Sequence, residues 1–152
     1  MTGVRTDLRE RVTAMNDQEL FHELAFYTLA QPRSTFIHQH AVDAFAVQSA
    51  DASTKPIAVV FGLLGLYLAV EKGFTGLQVQ EMHMRLAKKR RTWLSLPLPA
   101  DRGGITIADV LSVAPGPARD AAIHRWCEAA WKPWHAARPY IVDLARVELG
   151  IE

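Results

Sequence analysis

The chain has 152 residues, of which 49% are hydrophobic, and a formal net charge of +1 at pH 7. A chain of this length can build a core without covalent staples, and its apolar content and low net charge exclude intrinsic disorder. The one cysteine excludes an internal disulfide framework and a cysteine-based zinc finger.

The first 51 residues contain signals for two helices. Asn16 and Glu19 form a variant of the capping box, in which Asn16 caps the first turn and Glu19 can bond back to the cap. This helix should stop before Pro32, because the residue before a proline avoids helical backbone angles. Apolar residues at helical spacing predict a second helix that starts after Ser34 and ends near residues 48–51.

The third predicted helix is the most apolar part of the chain. Pro56 suits its first turn, and Gly73 suits its C-terminal cap. Four small residues share one face of this helix, and they are Ala58, Gly62, Gly65 and Ala69. A glycine inside a helix costs about 1 kcal/mol relative to alanine, so we expect this face to pack closely against a neighbouring helix.

A second capping box predicts the fourth helix. The capping box consists of Thr75 and Gln78, and the last turns of the helix that follows should hold the basic run 88–91. This run is interpreted as a complement to the helix dipole rather than as a phosphate-binding site. A loop is expected over residues 94–104, which include two prolines and a Gly-Gly pair, and a short helix should start at Thr106.

The C-terminal part, from residue 117 onward, carries one continuous helical stripe of apolar residues. The stripe keeps its phase through Pro133 and Pro139. This predicts one long kinked helix, or two helices nearly in line, with kinks at the prolines. Because no segment alternates convincingly as a strand, we predict an all-α fold. It would be a single helical-bundle domain over residues 1–152, with four or five main helices and a long kinked C-terminal helix.

The compartment and the partners can be inferred only by exclusion. The N-terminus lacks the apolar region of a secretory signal. The longest apolar run, residues 57–70, is shorter than the roughly 20 residues of a membrane-spanning helix. We therefore expect a cytoplasmic protein without a membrane partner, and the near-zero net charge favours no nucleic-acid partner. The sequence is compatible with a homodimer and with a small-molecule ligand, whose identity it does not indicate.

The chemical signal in the sequence is its histidines, at positions 22, 38, 40, 83, 124 and 135. His124 and His135 would lie roughly 16 Å apart along one helix, so a site must be assembled from different helices. Asp43 lies in an apolar stretch, where a buried carboxylate needs a partner. The predicted ligands of a divalent-metal site are His38, Asp43 and His135, with His40 and His83 in reserve. Imidazole and carboxylate ligands suit Zn, Ni, Fe or Mn.

Three segments carry a resemblance to a known family, and they are residues 38–48, 65–73 and 126–135. The first, His-Gln-His-Ala-Val-Asp-Ala-Phe-Ala-Val-Gln, is the most specific. Together they resemble a family of uncharacterised bacterial helical proteins, a domain of unknown function, over most of the chain from about residue 20. The resemblance implies no activity. It marks as signature positions His38, Asp43, Gln48, Glu71, Trp126, Trp131 and His135.

Two functions fit these residues. In the first, the bundle binds a divalent metal through His and Asp ligands from different helices, and a metal-bound water serves hydrolase or transferase chemistry. In the second, the protein is a non-catalytic small-ligand-binding or homo-oligomeric assembly module, and the His/Asp cluster is purely structural. The residues expected at a ligand pocket are Gln48, Glu71, Trp126 and Trp131.

Overall fold

The structure, a computed structural model, describes residues 3–89 and 91–152. Over these residues the chain is helical and has no strand, which confirms the all-α prediction. The α-helices are α1 (Gly3–Thr13), α2 (Asp17–Leu29), α3 (Ile37–Ser49), α4 (Pro56–Lys72), α5 (Gly76–Ala87), α6 (Ile107–Leu111), α7 (Pro117–Trp131) and α8 (Arg138–Leu149), and a 3-10 helix (Lys132–Ala137) joins the last two. None of the helices in these ranges has the length and hydropathy that a bilayer crossing requires.

The predicted caps mark helix ends in the structure. The Asn16 side-chain oxygen accepts a hydrogen bond from the Glu19 N–H at 2.9 Å, at the start of α2. Thr75 and Gln78 form the complete capping box of α5: the Thr75 N–H donates to Gln78 Oε1 at 2.8 Å, and the Gln78 N–H donates back to Thr75 Oγ1 at 3.2 Å. α4 ends at Gly73, whose φ of 69° is the left-handed conformation that glycine adopts most easily. These ends are therefore set by local chemistry.

The small-residue face of α4 packs against α3 at its two glycines. A β-carbon on Gly62 would lie 2.7 Å from Val47 Cγ1, and one on Gly65 would lie 1.9 Å from Asp43 Oδ2. The prediction of close packing is confirmed for these two positions. It is wrong for Ala58, which lies in the first turn of α4 and is exposed.

The end of α5 differs from the prediction. The helix stops before the basic run 88–91, of which residue 90 lies outside the described residues. Trp93, two residues after the basic run, packs edge-on against Phe61 of α4, with 5.3 Å between ring centres. The chain must leave the axis of α5 to make this contact. Packing therefore overrides the helical pattern here.

The C-terminal run is interrupted between its two prolines. The 3-10 helix contains Pro133, and α8 begins one residue before Pro139. Trp134 has φ −91° and ψ 21°, outside the helical range. A proline has no N–H to continue the helical ladder, which explains why the interruption lies here. The kinked C-terminal run is confirmed, but the four-or-five-helix count is too low. It omits α1, which no cap signal announces, does not count the short α6 as a main helix, and counts α7 and α8 as one helix.

α3 and α4 form the centre of the fold. α3 packs against α2, α4, α5 and α7, and most of α4 is buried. The largest fully buried side chains include Trp126, Trp134, Tyr67, Leu24, Leu63 and Ile123. This arrangement places the first turn of α3 beside the starts of α5 and α7.

Candidate functional site

A strained turn fixes the start of α3. Phe36, the residue before the helix, has φ 46° and ψ 54°, a left-handed conformation that costs a residue other than glycine on the order of 1–3 kcal/mol. The Leu77 N–H donates to the Thr35 carbonyl at 3.3 Å. A β-carbon on Gly76 would lie 1.8 Å from the Phe36 carbonyl oxygen, so only glycine allows this approach. The starts of α3 and α5 are thereby held together.

An open cleft of about 300 Å³ lies where α3, α5 and α7 begin, and we call it the histidine cleft. Its lining residues are Thr35, Ile37, His40, Thr75, Asp120 and His124. Ile37 is the first residue of α3, Thr75 caps α5, and Asp120 lies in the first turn of α7. His124 follows Asp120 by one turn, so both side chains lie on one face of α7.

His40 is the least satisfied polar side chain of the cleft. The residue is 3% exposed, and no described group forms a hydrogen bond with its Nδ1. A buried polar atom without a partner costs about 1–3 kcal/mol. The His40 and His124 rings have their centres 5.7 Å apart. Burial, and after it the neighbouring His124, lowers the pKa of His40 to about 4, so the ring is neutral at physiological pH.

Asp120 is held in place from α2. The Tyr27 hydroxyl donates to Asp120 Oδ1 at 2.6 Å and accepts a hydrogen bond from the Gly116 N–H at 3.1 Å. The Arg119 guanidinium lies 4.8 Å from the centre of the Tyr27 ring and donates to backbone carbonyls before α7. A carboxylate in the first turn of a helix also interacts favourably with the helix dipole. Asp120 is therefore a fixed acceptor at the edge of the cleft.

The predicted metal ligands His38, Asp43 and His135 are not brought together. His38 and Asp43 are five residues apart on α3, which places them about 140° apart around the helix. His38 Nδ1 lies 2.8 Å from Thr28 Oγ1 of α2, Asp43 faces α4, and His135 is exposed on the 3-10 helix. Within residues 3–89 and 91–152, no three His, Cys, Asp or Glu side chains form a group that could hold a metal ion.

The residues of the cleft fall inside a region that matches a known family model. The match covers residues 17–135, from α2 into the 3-10 helix. The chain belongs to the DUF5946 family. DUF5946 is a family of unknown function, so the expected membership of such a family is confirmed and brings no activity with it. No curated protein matches the chain, and no solved structure matches it.

In this DUF5946 protein, Asp43 joins three helices instead of binding with His38 and His135. Its Oδ1 accepts a hydrogen bond from Gln39 Nε2 at 3.1 Å, while Oδ2 is buried without a partner among the described residues. The same amide nitrogen lies 3.4 Å from His83 Nδ1. His83 Nε2 donates to the Phe61 carbonyl of α4 at 2.8 Å, so its Nδ1 is free to accept. Asp43 and the reserve ligand His83 are thus linked through Gln39.

Gln48 and Trp126, both expected at a ligand pocket, form one hydrogen-bonded pair. The Trp126 indole N–H donates to Gln48 Oε1 at 2.9 Å. Gln48 Nε2 donates to the carbonyls of Arg102 and Ile105 at 3.0 and 2.7 Å. Every polar atom of the Gln48 amide group is therefore used to hold the segment before α6 against α3 and α7.

Glu71 and Trp131, the other two pocket candidates, form a second pair at the end of α4. The Trp131 indole N–H donates to Glu71 Oε2 at 2.8 Å. Arg138 of α8 donates to both carboxylate oxygens, with its Nη2 2.6 Å from Oε1. These bonds join α4 to α7 and α8. The four pocket candidates thus lie in two helix-joining pairs. None of them lines the histidine cleft, and Gln48 borders a separate open cavity of about 180 Å³.

Asp120 and His124 are not among the residues predicted for the site, although His40 is a predicted reserve. Their spacing of four residues is a local signal that they share a helix face. His40, which they approach, lies on α3 and is about 80 residues earlier in the sequence. Only tertiary packing brings the three together, so no pattern in the sequence marks them as one site.

Proposed function

We propose that this protein binds a small molecule in the histidine cleft. The hydrogen bonds of Asp43 with Gln39, and of Gln48 with Trp126, then have a structural role. The observation that carries the proposal is His40, a buried neutral imidazole with an unpaired nitrogen in the wall of an open cleft. Buried polar groups in proteins are nearly always paired, so an unpaired one beside a cleft indicates a missing partner. Nδ1 itself has no surface open to the cleft, so a bound ligand would supply that partner after the His40 ring turns toward it.

The lining of the cleft favours a compact molecule that both donates and accepts hydrogen bonds. Asp120 and a neutral imidazole offer acceptors, and the hydroxyl groups of Thr35 and Thr75 are nearby. Three helices begin at the cleft, and helix starts favour negative or electron-rich groups. Ile37 and the carbon atoms of the polar residues make most of the lining surface apolar. A few polar groups in a mainly apolar recess are typical of small-molecule sites.

The proposal is tested by nuclear magnetic resonance of protein labelled at its histidine rings. Four probes are titrated separately: ethanolamine, acetate, acetamide and inorganic phosphate. We expect at least one to shift the His124 ring and the amides of Ile37 and Thr75. His124→Ala should weaken that binding about tenfold, the loss of roughly 1.4 kcal/mol that one hydrogen bond can supply.

His135→Ala is the matched control, because this histidine is exposed and lies outside the cleft. It should leave the binding of the same probe unchanged. If no probe shifts the cleft resonances at millimolar concentration, or if both variants weaken binding equally, the proposal is wrong.

A divalent metal ion, held by two imidazoles and not by the group of three side chains that the described residues lack, is a second candidate ligand for the same cleft. Two imidazoles that bind one ion at about 2.1 Å have ring centres about 5–6 Å apart, and the His40 and His124 rings are 5.7 Å apart. Such an ion would have two imidazole ligands and open positions, which hydrolase or transferase chemistry requires. Co²⁺ is therefore added as a fifth probe. Visible absorption bands that are present in the His135→Ala variant and lost in His124→Ala would support the metal.

A further inference from the structure

Asp43 occupies an unusual place at the interface of α3 and α4. It is 3% exposed, and its carboxyl group fills the space in which a β-carbon of Gly65 would lie. Among the described residues, the neutral amide of Gln39 is the one hydrogen-bond partner of its side chain. No ion pair among the described residues includes Asp43.

The ionisable groups around Asp43 supply no compensating charge. On its own helix the neighbour is His40, α5 contributes His83 through Gln39, and α7 contributes Cys127. Burial lowers the pKa of both histidines and raises the pKa of the Cys127 thiol, so all three are neutral at physiological pH. α4 presents the backbone of Gly65. A carboxylate at this position would be a buried charge without a partner, which proteins avoid by protonation.

We propose that Asp43 is a pH-sensitive latch, which holds α3 against α4 as an uncharged carboxylic acid and releases the two helices when it loses its proton. Burial raises the pKa of Asp43 well above its ordinary value, and the Gln39 hydrogen bond opposes this shift only in part. His40 lies on the same helix, one turn before Asp43. Release of α3 would therefore also move one wall of the histidine cleft.

The sign of the pH dependence follows from proton binding. An acid whose pKa is raised by folding stabilises the folded state at low pH, below its ordinary pKa of about 3.9. That stabilisation is lost as the pH rises from this value to the pKa of the folded state. Over this window the unfolding constant should increase by up to about tenfold per pH unit, because one more proton is bound in the folded protein.

The test compares urea unfolding of the wild type with that of Asp43→Asn from pH 5 to pH 9. Asparagine keeps the shape of the uncharged acid and cannot ionise. We expect the unfolding constant of the wild type to increase relative to that of Asp43→Asn as the pH rises. Asp143→Asn, at a position whose side chain is 63% exposed on α8, is the control and should follow the wild type. If Asp43→Asn also keeps a constant ratio to the wild type, the proposal is wrong.

A second measurement keeps the proposal testable if Asp43→Asn does not fold. The carboxyl carbon of Asp43 is observed in wild-type protein with labelled aspartate. We expect the resonance of a protonated acid to persist well above pH 4, where an exposed aspartate is already ionised, and to move to the carboxylate position at higher pH. A carboxylate resonance at pH 7 that titrates near pH 4 would overturn the proposal, whatever the variant does.

Discussion

At the level of single residues, Gly65 leaves the space that the buried Asp43 carboxyl group occupies at the centre of the fold. The Asp43 carboxyl group takes the place of a side chain on α4, so the two residues together fill one site. The glycine was expected to allow close packing of two helices. What it accommodates is the buried acid itself, which a pattern of small residues does not reveal.

Gly65→Ala should lower the free energy of unfolding by about 1–3 kcal/mol, the usual cost of overpacking a core. Alanine gains about 1 kcal/mol in helix propensity, but its methyl group must displace a buried carboxyl and break the Gln39 bond. Urea unfolding measures the difference. Gly104→Ala is the control, because nothing lies within 4 Å of the added carbon. Equal unfolding midpoints for Gly65→Ala and the wild type would show that α3 and α4 can separate without cost.

At the level of helices and loops, side-chain amides and indoles form contacts between segments that are distant in sequence. Local sequence patterns do not predict these contacts. Helix starts at Asn16 and Thr75 were predictable, because the capping bonds involve residues three apart. The end of α5 was not, since the contact of Trp93 with Phe61 determines where the chain turns away. The segment from residue 91 to α6 has no regular structure of its own and depends on such contacts.

Gln48→Ala should release the segment before α6 while leaving the helices folded. The change removes two donors to backbone carbonyls and the acceptor of the Trp126 N–H, at roughly 1 kcal/mol per bond. Limited proteolysis should therefore cut within residues 94–105 faster than in the wild type. Gln31→Ala, which removes one bond to the Tyr27 carbonyl, is the control and should be cut at the wild-type rate. Cleavage at equal rates in the two variants would contradict this role of Gln48.

For the whole molecule, the fold class was predictable from the sequence, but the candidate site was not. Helical stripes and caps repeat every few residues, so they identify the class without knowledge of the contacts. The predicted set of His38, Asp43 and His135 assumed that polar residues in apolar stretches converge. Each instead found a separate environment: a threonine of α2, the backbone of α4, and solvent. The cleft of His40 and His124 depends on how α3 crosses α7, which no local pattern encodes.

The one cysteine of the chain can report how often the helical bundle opens. Cys127 lies on α7 against α3, is 2% exposed, and donates its S–H to the His40 carbonyl at 3.7 Å. The thiolate is the form that attacks an alkylating reagent, and burial raises the pKa of this thiol. An alkylating reagent can therefore modify the native protein only during moments when α3 and α7 part. The rate of labelling reports how often the centre of the bundle opens, with no engineered label and no competing thiol in the chain.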